Sequence, residues 1–145
     1  MKSMTISLLV GFVFLGCAAG MSGEQPARSK DPQMVIGKTW QWVSTVTPVE
    51  KITAAAPERY TILLQEDGNI RARFDCNKGG GRYTLSEGRL SFGPLMSTRM
   101  ACPPDTQDAP FMRDLQRVSS FFVENGELYL ELPMDSGTMR FRQAP

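Results

Sequence analysis

The chain has 145 residues, with 16 Lys and Arg against 15 Asp and Glu, no His and three Cys. The length fits one domain, and a net charge of +1 gives no reason to expect nucleic acid as a partner. Without His there is no Ser-His-Asp or Cys-His catalysis and no His-bound zinc. No cofactor and no metal site are expected.

Lys2 gives a small positive start, and residues 6–15 are apolar apart from Ser7 and Gly11. Ten residues at 1.5 Å each span about 15 Å, roughly half a hydrocarbon core, so this is an export signal and not a membrane-spanning helix. It runs into Phe14-Leu15-Gly16-Cys17, which resembles a bacterial lipobox with Phe14 in place of the usual Leu. The resemblance implies cleavage before Cys17, acylation of its thiol and anchoring in the bilayer. Ala18 follows where an Asp would imply inner-membrane retention, so an outer-membrane lipoprotein facing the periplasm is expected. The residues leave open an ordinary signal cut after a small-residue stretch such as Cys17-Ala18-Ala19-Gly20, which would release a soluble periplasmic protein.

Residues 1–16 are therefore assigned to the signal, 17–34 to the lipidated Cys and a flexible tether, and 35–145 to the folded domain. The tether stretch 18–33 holds two Pro, two Gly and few apolar side chains, too little to bury a core. Loss of Lys2 with the signal leaves 15 positive and 15 negative side chains. With no net charge, the lipid alone is expected to hold the protein at a membrane.

From Trp40 the apolar residues alternate, the signature of half-buried strands. Trp40, Trp42, Ser44 and Val46 share one face, then Tyr60, Ile62 and Leu64. Glu66-Asp67-Gly68-Asn69 reads as a hairpin turn. Ile70, Ala72, Phe74 and Cys76 alternate with Arg71, Arg73 and Asp75. Residues 77–81 read as a Gly-rich loop, and Tyr83, Leu85, Leu90 and Phe92 mark two strands joined at Gly88. After Pro103 and Pro104, Asp108-Ala109-Pro110 opens a helix with a capping Asp and Pro in its first turn. Phe111, Leu115 and Val118 form its apolar stripe. Asn125-Gly126 is the strongest hairpin signal, and the chain ends in strands carrying Leu128, Leu130, Leu132, Met139 and Phe141. The expected fold is α+β and mainly antiparallel β, a curled sheet or partial barrel of about seven or eight strands packed with one α-helix.

With Cys17 assigned to lipid, Cys76 and Cys102 remain, and an exported chain meets oxidising conditions in which they pair. The competing reading, a catalytic thiol, lacks a His partner and a C-x-x-C spacing.

The same residues carry a family resemblance. Phe74-Asp75-Cys76-Asn77, Gly81-Arg82-Tyr83, Leu90-Ser91-Phe92 and Thr98-Arg99-Met100-Ala101-Cys102 resemble the META domain family of HslJ-like, heat-inducible bacterial lipoproteins. Gly37-x-x-Trp40 and Phe111-x-x-x-Leu115 also match its pattern. The resemblance spans 35 to about 143. Asp75 stands where the family has Gly, a departure that bears on the local backbone. The resemblance implies a small β-rich fold with a packed helix, an envelope location and a link to stress or antibiotic tolerance. It implies no established enzyme activity and brings no catalytic residues.

The expected function is accordingly non-enzymatic: a monomer that binds an envelope protein in envelope maintenance. Loops carry function on such scaffolds, so Asn77, Lys78, Gly79, Gly80, Gly81, Thr98, Arg99 and Met100 are the expected interaction surface. One alternative is a tethered inhibitor of an extracellular lysozyme or protease, acting through a protruding loop at Lys78. A third reading, a hydrolase using a pair of acids, needs two carboxylates at a set separation. Arg71, Arg73, Arg140 and Arg142 read as a solvated face balanced by acids such as Glu131, or as a basic patch if their two strands adjoin. Trp40 and Trp42 read as core before they read as a stacking surface for a ligand.

Overall fold

The computed structural model describes residues 26–145. The export signal, Cys17 and the first part of the tether lie outside the described residues. In chain order the strands are β1 (Thr39–Val46), β2 (Lys51–Thr53), β3 (Tyr60–Leu64), β4 (Asn69–Phe74), β5 (Asn77–Ser86), β6 (Arg89–Phe92) and β7 (Met96–Ser97). Helix α1 (Asp108–Leu115) follows, then β8 (Ser120–Glu124), β9 (Glu127–Glu131) and β10 (Thr138–Gln143).

The sheet is antiparallel and runs β10-β9-β8-β6-β5-β4-β3-β1, and β1 pairs with β10 to close it. The result is an eight-stranded barrel, with β2 and β7 as short additions on β1 and β5. Full closure removes sheet edges that would otherwise template aggregation. The thinnest seam lies between β6 and β8, where one residue pair, Arg89 and Ser120, is in register.

Helix α1 drives its apolar stripe into the barrel. Phe111 and Leu115 have no exposed surface. The Phe111 ring lies 5.1 Å from Trp42, 5.7 Å from Tyr60 and 5.8 Å from Phe74, each from a different strand. One aromatic side chain thus ties β1, β3 and β4 to the helix, and such a site loses about 3–5 kcal/mol on truncation to Ala. The N-cap lies one residue before the expected one, so the helix starts at Asp108. Gln107 is its N-cap and offers no side-chain cap, while Asp108 sits in the first turn and accepts from the Ala109 amide. The Gln107 side chain is used elsewhere, accepting from Ala55 N and donating to Thr53 O, both at 3.0 Å.

Several expectations change. The face shared by Trp40, Trp42, Ser44 and Val46 does not persist, because the β1–β10 register shifts between Trp42 and Ser44. A bulge adds one residue and reverses the facing. Thr45 becomes fully buried, receiving the Trp42 indole N–H at 3.0 Å, and Val46 is 47% exposed. The Gly-rich stretch is not a loop. Residues 77–81 are the first half of β5, paired with β4 and β7. A Cβ on Gly79 would stand 1.8 Å from the Met96 carbonyl oxygen, and one on Gly80 would stand 2.0 Å from that of Ile70. These glycines allow the backbones of β4 and β7 to approach β5 closely.

The tether also ends earlier than residue 34. Ser29 and Val123 exchange backbone hydrogen bonds of 2.8 and 2.7 Å. Arg28 stacks 4.4 Å from the Phe122 ring and reaches Glu124 at 3.1 Å. Pro32–Met34 forms a 3-10 turn. The next residue, Val35, is buried in the core and accepts the Trp40 indole N–H. A stretch too polar to fold alone is ordered by docking on a sheet formed by the rest of the chain.

Candidate functional site

The residues singled out by motif converge on one end of β5. The β4–β5 hairpin turns through Asp75 and Cys76, since Phe74 pairs with Asn77. Cys76 lies in that turn and not on the core face of a strand. It is bonded to Cys102 with 5.5 Å between Cα atoms, a normal disulfide span. The bridge fastens the irregular segment after β7 to the hairpin.

Asp75 has a φ of 62°, the left-handed region that Gly occupies freely and Asp tolerates better than most residues. This is where the family pattern carries Gly. Asp75 is 3% exposed, so its carboxylate needs a partner. Arg59 supplies one as a two-pronged fork, Nε to Oδ1 at 2.5 Å and Nη2 to Oδ2 at 2.6 Å. The remaining guanidinium nitrogen reaches Asp105 at 3.1 Å. The Arg59 fork, against the opposing effect of burial, holds the Asp75 carboxyl below its ordinary range, and the two acids raise the Arg59 pKa. One arginine therefore joins the residues before β3, the β4–β5 turn and the loop after Cys102. Motif reading missed Arg59. The one available signal was an acid where the family has Gly.

Asn77 is 5% exposed and is not itself a contact surface. Its Oδ1 accepts from Thr98 Oγ1 at 2.8 Å and from Met100 N at 2.7 Å. Its Nδ2 donates to the Met100 carbonyl at 3.3 Å and lies 3.2 Å from Cys102 Sγ. Lys78 N donates to Thr98 Oγ1. One buried amide and one disulfide thus fix a loop whose outer side chains, Thr98, Arg99 and Met100, are exposed. Met100 keeps 59% of its surface.

Between this loop and α1 lies an open groove of about 590 Å³. Residues 97–101 form one wall, and Ala109, Met112 and Arg113 of the helix form the other. Methionine side chains adapt to varied apolar partners, and arginine offers charge and planar hydrogen bonding. The expected interaction residues are thereby separated. Thr98, Arg99 and Met100 line the groove, Asn77 organises it from beneath, and Gly79–Gly81 lie in the strand. Lys78 opens onto a different part of the surface, and the protruding loop that the inhibitor reading requires is a paired strand.

Three of the acids are poorly suited to act as a hydrolytic general acid. Asp75 and Asp114 are buried, and each is held by an arginine, Asp114 by Arg113 at 2.8 Å. Asp67 and Asp75 both have lowered pKa values, Asp67 chiefly through the Asn69 side chain. A general acid near neutral pH needs the opposite shift. The indoles of Trp40 and Trp42 are inside the barrel, at 1% and 0% exposure, so neither offers a stacking surface. The two arginine strands do not adjoin, since β1 and β3 lie between β10 and β4. Arg140 is balanced by Glu127 at 3.2 Å and not by Glu131, and Arg142 donates to Gln41.

The sequence pattern of the META domain matches residues 21–145, a span that includes the docked segment before Val35. No curated protein matches the chain. Among solved structures, an NMR structure of a protein from Burkholderia xenovorans is similar at a TM-score of 0.64 and 23% identity, covering 84% of this chain and 96% of that one. A crystal structure of a DUF4847 family protein from Bacteroides vulgatus is similar at a TM-score of 0.57 and 12% identity, covering 76% and 94%. At these identities the likeness is one of fold.

Proposed function

The chain belongs to the META domain family, and from that premise we propose a non-enzymatic envelope lipoprotein that binds a partner protein through the groove between residues 97–101 and α1. The observation that carries this reading is the division of labour around Asn77. A buried amide and the Cys76–Cys102 bridge hold the loop in place from within, while Arg99 and Met100 stay exposed beside an open groove. A rigid scaffold presenting a fixed, partly apolar loop suits recognition, because little ordering entropy remains to be lost on binding. In this reading the lipobox-like Cys17 supports residence on the outer membrane, facing the periplasm, with a role in envelope maintenance under stress.

A photo-crosslinking residue in place of Met100, in living cells, tests the binding. A discrete envelope partner is expected at that position and not at Glu66, which is exposed in the β3–β4 turn, at the end of β4 opposite Asn77. The same partner should be lost from Arg99→Glu. Equal capture at both positions, or a partner indifferent to Arg99→Glu, would remove the groove from consideration. Labelled palmitate should enter the wild-type chain and not Cys17→Ala.

A further inference from the structure

Net neutrality conceals an uneven surface. On the outer face of the barrel, two rows cross the strands in register. Thr39 of β1, Leu63 of β3, Arg71 of β4 and Gly80 of β5 form one row, since each is the pairing partner of the next. Thr61, Arg73 and Lys78 form the row beside it. Apart from Gly80, the residues of both rows line an open groove of about 630 Å³. Gly80 has no side chain to fill the space opposite Arg71.

Three cations thus share one groove, and two of them, Arg73 and Lys78, stand directly opposite each other. Like charges in that position are unfavourable in a sheet. Among the described residues, no carboxylate lies within 4 Å of Arg71, Arg73 or Lys78. Arg73 is held by neutral groups, its Nε donating to the Asp75 carbonyl at 2.9 Å and its Nη1 to that of Glu58 at 3.4 Å. These bonds fix its position without a carboxylate in contact, and the Asp75 carboxylate acts on it only at longer range. The neighbouring Asp75 carboxylate is occupied by Arg59.

We propose that this face of β3, β4 and β5, centred on Arg71, Arg73 and Lys78, docks on the phosphate headgroups of an anionic bilayer. Charge complementarity is the first argument. Two arginines and a lysine in one groove match closely spaced phosphates, and the half-buried Leu63 beside Arg71 suits the boundary between headgroup and acyl chain. The second argument is reach, and it rests on the lipoprotein reading. Cys17 lies nine residues before Pro26, the first described residue, so a fully extended tether spans at most about 30 Å. A domain held that close meets the headgroups continually. The lipid would supply residence at the membrane, and the basic face would supply orientation.

The test uses the chain from Ala18 onward, which lacks the lipid site and contains the entire core from Val35 to Phe141. Its failure is therefore distinct from a failure of lipidation. It should sediment with phosphatidylcholine vesicles carrying about 30% phosphatidylglycerol, not with phosphatidylcholine alone, and should release as salt shortens the screening length. Arg71→Gln with Lys78→Gln should lower the partition coefficient roughly tenfold or more. Arg73 is kept, because its bonds to the backbone serve the fold. Lys51→Gln with Arg117→Gln removes the same charge elsewhere and should change binding by less than about twofold. Equal losses in the two double variants would reduce the effect to net charge and overturn the proposal. Binding to soluble polyglutamate without binding to vesicles would also overturn it, in favour of an acidic protein partner.

Discussion

Arg59 grips Asp75 with two parallel hydrogen bonds, 2.5 Å and 2.6 Å long, at the one residue of the β4–β5 turn that has a positive φ. The pair makes folding acid-sensitive. The Asp75 pKa is lowered from its ordinary 3.8 by the Arg59 fork, so the folded state binds this proton less readily than the unfolded chain. The stabilisation is complete above about pH 4 and is lost as pH falls through the folded value. Denaturant midpoints measured from pH 6 to pH 2 should fall steeply below pH 4. In Asp75→Asn the backbone keeps a residue that tolerates the left-handed region, while the charge is gone. Its stability should be lower by about 2 kcal/mol at pH 7, with a flatter acid limb. An unchanged acid limb would show that other carboxylates govern it.

Much of the fold was legible because it is local. Gly68, Gly88 and the Asn125-Gly126 pair mark turns by backbone conformation, and all four residues take positive φ. Phe111 and Leu115 are buried as their helical spacing requires, while α1 ends at Leu115 and Val118 is buried from the segment beyond it. What escaped depends on partners distant in the chain. Val46 faces outward because β1 bulges against β10, some ninety residues away. The run at 79–81 resembles a flexible loop until Ile70 and Met96 are seen against it. Arg59 is one of many arginines until the fold brings Asp75 and Asp105 to it. The loop at 98–102 was identified by its motif. The groove beside it was not, since that requires knowing which face α1 turns outward.

The glycines of β5 provide a direct check on the close-approach argument. In Gly79→Ala and Gly80→Ala a methyl group would overlap a carbonyl oxygen of an adjoining strand, and the obstacle in each case is backbone. Each should cost about 3 kcal/mol or more in chemical denaturation. Gly93 has ordinary φ, and its nearest atom would be 3.5 Å away, so Gly93→Ala should fall within about 0.5 kcal/mol of wild type. If all three behave alike, the backbones of β4 and β7 do not approach β5 as closely as described.

Asn77→Ala removes four contacts at once and leaves the Met100 amide without its partner in a nearly closed site. A loss of about 2 kcal/mol is expected. Amide exchange at Met100 should accelerate far more than at Leu130 in the barrel core. Asn77→Asp preserves the acceptor for Thr98 and Met100 and loses the donors, so it should recover part of the protection at Met100. Equal exchange in wild type and Asn77→Ala would show that the disulfide alone holds the loop.

The disulfide should therefore act mainly on the loop it closes and on the unfolded chain, with little effect on the barrel. It links residues 26 apart, and closing such a loop stabilises by roughly 3.5 kcal/mol if the whole effect is unfolded-chain entropy. The barrel strands on either side remain paired without it, since β4 and β5 match along six residue pairs. Cys76→Ser with Cys102→Ser should thus keep the far-ultraviolet spectrum of the wild type while its denaturant midpoint falls by the equivalent of about 3 kcal/mol. Crosslinking from position 100 should weaken in the same variant, because a loosened loop presents Met100 in many positions at once. If the midpoint falls and crosslinking is undiminished, the bridge serves stability alone, and Asn77 carries the ordering of the groove by itself.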